Sequence, residues 1–241
     1  MTWKQAFTSS VGKKIVMAIT GLSLILFLIV HVTVNACMWA VIFEPNDNGE
    51  VFNKAAHFLG QTLVPRVLEI GLFLFFFIHI IQGYVLEVQN RSKRGTPYAM
   101  NYGNRGSKWY SRSMGLLGTL IFLFLILHIY DFWIPSRFGG DANIHELEMV
   151  TYPDNPNHPY HNLYYEMIKV FQNGWIVVIY VLGCISLAYH LAHGFQSSFK
   201  TLGVYNKRYT SFLRGLGYAF AIIVSLVFAL MPVSVYFGWV S

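Results

Sequence analysis

Charge is what this chain has least of. Only 12% of its 241 residues are Asp, Glu, Lys or Arg, about half the share carried by a soluble domain. Acids are the scarcer sign, 11 against 17 basic residues, and none lies between Lys169 and Ser241. Cysteine is nearly absent. Cys37 and Cys184 both fall in apolar stretches, toward opposite ends of the bilayer by the span reading below. They read as small core residues and not as a disulfide. No His-Glu-x-x-His run, paired-Cys metal set, Gly-rich dinucleotide fingerprint or iron–sulfur cysteine motif occurs. There is no internal repeat and no low-complexity segment.

Hydrophobic residues fill the space that charge leaves, at 55%. They concentrate in five runs of about 20–28 residues, long enough to cross a bilayer. The expected spans are about 15–42, 66–88, 114–134, 172–198 and 212–238. The chain thus reads as all-α and integral to a membrane, one domain over 1–241. Pro232 falls inside the fifth run, where neighbouring helices can satisfy the carbonyl it frees. The first run is too long for a cleaved signal, and no small-residue cleavage site follows it. Trp3, Trp39, Trp109, Trp133, Trp175 and Trp239 fall near run ends, as in an aromatic belt.

Loop charge sets the expected orientation. Lys4, Lys13, Lys14, Arg91, Lys93, Arg94, Arg105, Lys108, Arg112, Lys200, Lys207, Arg208 and Arg214 share one side, 13 of the 17 basic residues. Lys54, Arg66, Arg137 and Lys169 share the other with most of the acids. The positive-inside rule then puts the N-terminus in the cytoplasm and, after five spans, the C-terminus outside. The formal charge of +6 is mostly this bias and not a nucleic-acid footprint. The loop from about 89 to 112, rich in Arg, Tyr and Gly, can dock a soluble partner or contact lipid headgroups.

Five histidines lie inside the apolar runs. His31, His79 and His128 sit one each in the first three, and the fourth holds His190 and His193. An ionisable side chain in a membrane span is costly and marks a site. Counting along each run, His31 and His128 fall in the outer half, and His79 and His190 in the inner half. Two imidazole pairs at two depths suit two b-type haems, each with both axial positions filled. The first four spans are then a haem-binding bundle. Covalent c-type attachment is excluded, because no Cys-x-x-Cys-His occurs. Gly83 and Gly194, each four residues past a ligand, would let a macrocycle approach the backbone. His57, His145, His158 and His161 fall outside the spans and read as surface residues. His158 and His161, near Tyr160 and Tyr164, are a weaker alternative for reaching a quinone from the outer loop.

The residues that carry this pattern resemble a known family. The first span opens Ser9-Ser10-Val11-Gly12-Lys13-Lys14, continues Met17-Ala18-Ile19-Thr20-Gly21, and reaches His31 and Asn35. The third is preceded by Tyr110-Ser111-Arg112-Ser113-Met114. The fourth ends His190-Leu191-Ala192-His193-Gly194, Ser198-Phe199, Thr201-Leu202-Gly203. Over essentially its whole length the chain resembles the dihaem cytochrome b membrane anchor of succinate:quinone oxidoreductase (succinate dehydrogenase or fumarate reductase, respiratory complex II). The resemblance implies His79 and His190 on the haem nearer the hydrophilic subunits, and His31 and His128 on the distal one. It implies that His193 stands behind the ligand, near a propionate, and that Lys200 serves a propionate too. It also implies an FAD flavoprotein and an iron–sulfur protein as partners, menaquinone as the quinone, and a bacterial cytoplasmic membrane as the location. One departure stands out. Some dihaem fumarate reductases carry a carboxylate on the fourth helix, and this chain has none there.

Quinone chemistry needs proton exchange and hydrogen-bond partners. At the outer level the candidates are Asp131, one turn beyond His128, and Asn35, one turn beyond His31. Arg66 and Glu69, spaced to pair at i,i+3, stand at the same level. The bland alternative for Asp131 is a helix-end acid or a partner of Arg137. The competing functional readings are the dihaem cytochrome b of a nitrate reductase, formate dehydrogenase or hydrogenase, and a haem-free transporter.

Overall fold

The computed structural model describes residues 9–94, 108–141, 143–204 and 206–240. Five helical stretches are long and apolar enough to cross a membrane: Ser10–Phe43, Leu63–Ser92, Met114–Phe138, Gly174–Thr201 and Arg208–Tyr236. Each overlaps an expected span, and the chain is a multi-pass helical membrane protein. In the second stretch none of the most apolar window is buried within the protein, and in the third only 6% is. Leu, Ile and Phe side chains exposed in such numbers suit lipid and not water.

The first stretch is helix α1 (Ser10–Ala36), tightened by a 3-10 turn at Cys37–Trp39 and closed by a short turn at Ala40–Phe43. Three elements lie beyond the expected spans. Helix α2 (Glu50–Gln61) starts behind Gly49, whose φ of 77° is left-handed. A Cβ there would also collide with the Tyr164 ring, so only glycine fits. Strands β1 (Met149–Tyr152) and β2 (Asn155–His161) form an antiparallel hairpin, a small β addition to the all-α class. Helix α5 (Leu163–Phe171) is capped by Asn162, whose side chain accepts the Tyr165 N–H, one of the donors a helix start leaves open. The remaining long helices are α3 (Leu63–Arg94), α4 (Met114–His128), α6 (Gly174–Thr201) and α7 (Lys207–Tyr236). Pro232 lies inside α7 without ending it.

The third stretch does not stay an α-helix. Directly after His128 it opens into a π-helical turn, Ile129–Trp133, before a last turn at Ile134–Phe138. Asp131 falls within this turn, which is wound more widely than the α-helix expected there.

The chain forms two compact units. Unit 1 comprises residues 1–28, 71–121 and 185–224, and unit 2 comprises 29–70, 122–184 and 225–241. The core of unit 1 is Ile25, Leu191, Ala192, Phe195 and Ala221. The core of unit 2 is larger and includes Met38, Phe52, Met167, Phe171, Tyr180, Met231 and Val235. Its hub is Asn53, 1% exposed. The Asn53 amide donates to Tyr152 Oη (2.8 Å) and Asn162 Oδ1 (3.0 Å), and its oxygen accepts the Tyr164 N–H (2.9 Å). One side chain thus ties α2, the hairpin and α5. Cys37 and Cys184 are free thiols, both in unit 2.

Candidate functional site

Each unit holds one pair of histidines. In unit 1 the rings of His79, from α3, and His190, from α6, face each other with centres 6.1 Å apart and planes at 63°. In unit 2 the rings of His31, from α1, and His128, from α4, have centres 5.8 Å apart and planes at 85°. Two imidazoles that share one metal through bonds of about 2 Å sit with ring centres roughly 6 Å apart. Both pairs meet that spacing. Among the described residues no group of three or more His, Cys, Asp or Glu could hold a metal ion, and each pair offers two imidazoles.

The unit 1 pair has a defined tautomer on one side. Thr20, buried on α1, donates its hydroxyl proton to the Val16 carbonyl at 2.8 Å, a common use of Thr in a helix. Its oxygen therefore accepts, and the group 3.1 Å away is His79 Nδ1. With the proton held on Nδ1, the Nε2 lone pair is free to bind a metal, the usual arrangement behind a ligating histidine. In unit 2 the Asn35 amide donates to the His31 carbonyl at 2.8 Å and lies 3.2 Å from His31 Nδ1. Asn35 thus stands beside a candidate ligand as an N–H donor.

Their partners are left short. His128 and His190 each keep a buried Nδ1 with no hydrogen-bond partner, and Gln82, one turn past His79, keeps a buried unpaired Oε1. Unpaired polar atoms in apolar surroundings are costly and mark missing company. Space beside the rings of unit 1 comes from glycine. A Cβ on Gly21 would lie 3.4 Å from His79 Cε1, and one on Gly118 would lie 3.8 Å from His190 Cε1. Gly194 faces open space, and a Cβ on Gly83 would meet only the Met17 methyl at 3.9 Å. Around His128 the walls are aromatic: Phe124, Phe132 and Tyr180 have ring centres 5.6, 5.5 and 5.9 Å away. Phe228 lies 5.5 Å from His31. Two apolar niches, each with two imidazoles spaced for one iron, fit the chemistry of b haem, which needs axial nitrogen ligands and apolar walls.

The other expected residues divide. His193 is half-buried one turn beyond His190. Lys200 lines an open cleft with Gln196, Phe199, Val204, Thr210, Leu213 and Arg214. Asp131 is buried and accepts a hydrogen bond from Tyr180 Oη at 2.8 Å. It is neither a solvated acid nor the partner of Arg137. Arg137 pairs instead with Glu69, through Nε at 3.2 Å and Nη2 at 3.1 Å, and Trp133 also donates to Glu69. The Arg66–Glu69 pair does not form. Arg66 is exposed and reaches the Gly60 carbonyl at 3.4 Å, because the planar guanidinium of Arg137 satisfies the Glu69 carboxylate two-fold.

The surface histidines of the outer loop are also not all solvated. His145 meets the buried carboxylate of Glu166 at 3.0 Å, and His57 meets His158 at 3.2 Å. Sequence reading passed over Thr20, Gln82, Gly21, Gly118 and Tyr180. Thr20 and Gly21 stand in the Met17–Gly21 run, and their pairing with His79 could have been sought from depth alone. Tyr180 carried no signal. Trp3, Lys4, Arg105 and most of the Arg-rich loop lie outside the described residues. Comparison with protein-family models, with curated proteins and with solved structures found no match to the chain.

Proposed function

We propose that this chain is the cytochrome b membrane anchor of a succinate:quinone oxidoreductase of the succinate dehydrogenase or fumarate reductase type. The observation that carries the reading is the occurrence of two separate imidazole pairs, each spaced for one metal. His79 and His190 would hold one haem b, and His31 and His128 the other. A haem with both axial positions filled supplies one-electron transfer and leaves no position for oxygen or substrate.

The protein's own part is to hold and to neutralise. Thr20 keeps the His79 proton on Nδ1, and Asn35 stands beside His31 as an N–H donor. Among its described residues unit 1 carries 11 basic residues and one acid, a setting suited to propionates. Lys200 and His193 are candidates there, and Gly83 and Gly194 leave room at the backbone. The same basic face is the docking side for an iron–sulfur subunit and its FAD flavoprotein. Succinate chemistry belongs to those partners. The setting is a bacterial cytoplasmic membrane, with the N-terminus in the cytoplasm and the C-terminus outside.

Quinone, menaquinone by the family resemblance, is assigned to the niche of His31 and His128. Asp131 and Tyr180 form a buried carboxylate–phenol pair that can hold or move a proton at Asp131 Oδ2. Asn35 offers an amide. Glu69 contributes through its ion pair with Arg137, and Arg66 stands exposed nearby in sequence.

A reduced-minus-oxidised spectrum of the purified protein, with haem extraction, tests the assignment. Two b haems per chain are expected, and His190→Ala should lose about one of them while His193→Ala keeps both. A haem-free transporter would show no b-type band. Retention of both haems in His190→Ala together with loss of one in His193→Ala would move the ligand by three residues. Full quinone activity in Asp131→Asn would exclude Asp131 from the quinone site.

A further inference from the structure

Outside the two niches, one pair of side chains in unit 2 has no part in the chemistry above. His57 stands on α2 and His158 on β2. Their Nε2 atoms are 3.2 Å apart, their ring centres 4.9 Å, and their planes at 90°. Tyr160 closes one side, with its ring centre 5.0 Å from His57 and 4.7 Å from His158. His57 Nδ1 is buried without a partner, so Nε2 is the nitrogen that this ring presents outward. His158 is exposed, so an ion reaches the pair from solvent.

We infer that His57 and His158 form a binding site for a divalent transition-metal ion of imidazole preference, Zn²⁺ foremost, that clips the hairpin to α2. A tetrahedral ion with metal–nitrogen bonds of about 2 Å holds neighbouring donor atoms roughly 3.3 Å apart. The two Nε2 atoms already stand at that edge length. Both rings bind in the neutral form, and two independent elements supply them, so the ion would link parts of the chain about 100 residues apart in sequence. No third His, Cys, Asp or Glu joins them among the described residues, and water completes the coordination. Imidazole donors and a tetrahedral edge favour Zn²⁺ over the oxygen-seeking Mg²⁺ and Ca²⁺. The competing account is a lone N–H···N hydrogen bond between two neutral rings. His161, three positions along the same strand, forms no three-residue metal group with them and is no ligand.

The test uses the full-length purified protein with its haem complement, stripped of loosely bound metal by a chelator and titrated with ZnCl₂. One saturable zinc per chain is expected, with zinc-edge X-ray absorption showing two imidazoles and light-atom oxygen ligands. His158→Ala, a change at an exposed strand position that the fold tolerates, should weaken binding roughly tenfold or more. His57→Ala should do the same, and His161→Ala should leave binding unchanged. Binding to His158→Ala as tight as to the native protein would overturn the site. So would fewer than two imidazoles in the absorption spectrum, or no saturable zinc at all. The haem spectrum should be the same in every variant, so this result and the haem reading stand or fall separately.

Discussion

At the scale of the residue, the side chain with most leverage is Thr20. Its proton goes to Val16, so its oxygen decides which nitrogen of His79 is bare. Thr20→Val keeps the shape and removes the acceptor. The expected outcome is a loss of roughly 10–100-fold in haem affinity at the His79–His190 pair, with Thr20→Ser restoring it. Haem retained per chain through a detergent wash measures this, and unchanged retention of both haems would show that Thr20 only fills space. Asp131 makes a different point. It is a carboxylate inside an apolar span, and Tyr180 turns it from a liability into a bonded pair.

At the scale of the element, glycines decide how closely helices approach. A Cβ on Gly183 of α6 would stand 2.7 Å from the Phe124 ring of α4, nearer than real contacts allow. Overpacking of this kind costs about 1–3 kcal/mol, so Gly183→Ala should lower the thermal unfolding midpoint of the solubilised protein. No change would mean that the Phe124 ring swings away freely. The hairpin and α2 respond to pH. Burial holds the His57 imidazole below its ordinary pKa, with the charges of His158 and His161 acting in the same direction. The folded state therefore binds the His57 proton more weakly than the unfolded state does. The stability from neutral His57 is full above pH about 6.5 and is lost as pH falls from there through the depressed value. Amide hydrogen exchange over residues 149–161, corrected for intrinsic rates, should be faster at acid pH than at neutral pH. His57→Asn should remove most of that difference.

At the scale of the whole molecule, charge is divided as sharply as hydrophobicity. Among the described residues unit 1 holds 11 basic residues and one acid, whereas unit 2 holds four basic residues and ten acids. Nearby cations stabilise the reduced, less positive iron. The haem assigned to His79 and His190 should therefore have the higher midpoint potential. Potentiometric titration of His79→Ala and His31→Ala, each keeping one haem, assigns the two values. A higher potential for the haem that survives in His79→Ala would reverse the order.

Composition and order alone determined the five spans, the expected sidedness and the four candidate ligands. Each rests on a signal local to the chain: apolar run length, loop charge, and a histidine where polar groups are costly. Depth counting along rigid helices also sorted the histidines into pairs, because a helix rises by a constant amount per residue. What lay across space was decided only by tertiary structure. Thr20 reaches His79 across 59 positions, and Arg137 takes Glu69 from Arg66 across 68. The π turn after His128 had no periodic signature, since its five residues, Ile-Tyr-Asp-Phe-Trp, set one acid among large side chains with no spacing that marks a wider turn. The hairpin and its His57–His158 contact were hidden for a related reason. A polar loop carries no hydrophobic alternation to announce strands, and its register comes from Asn53 and Tyr160 docking on elements remote in sequence.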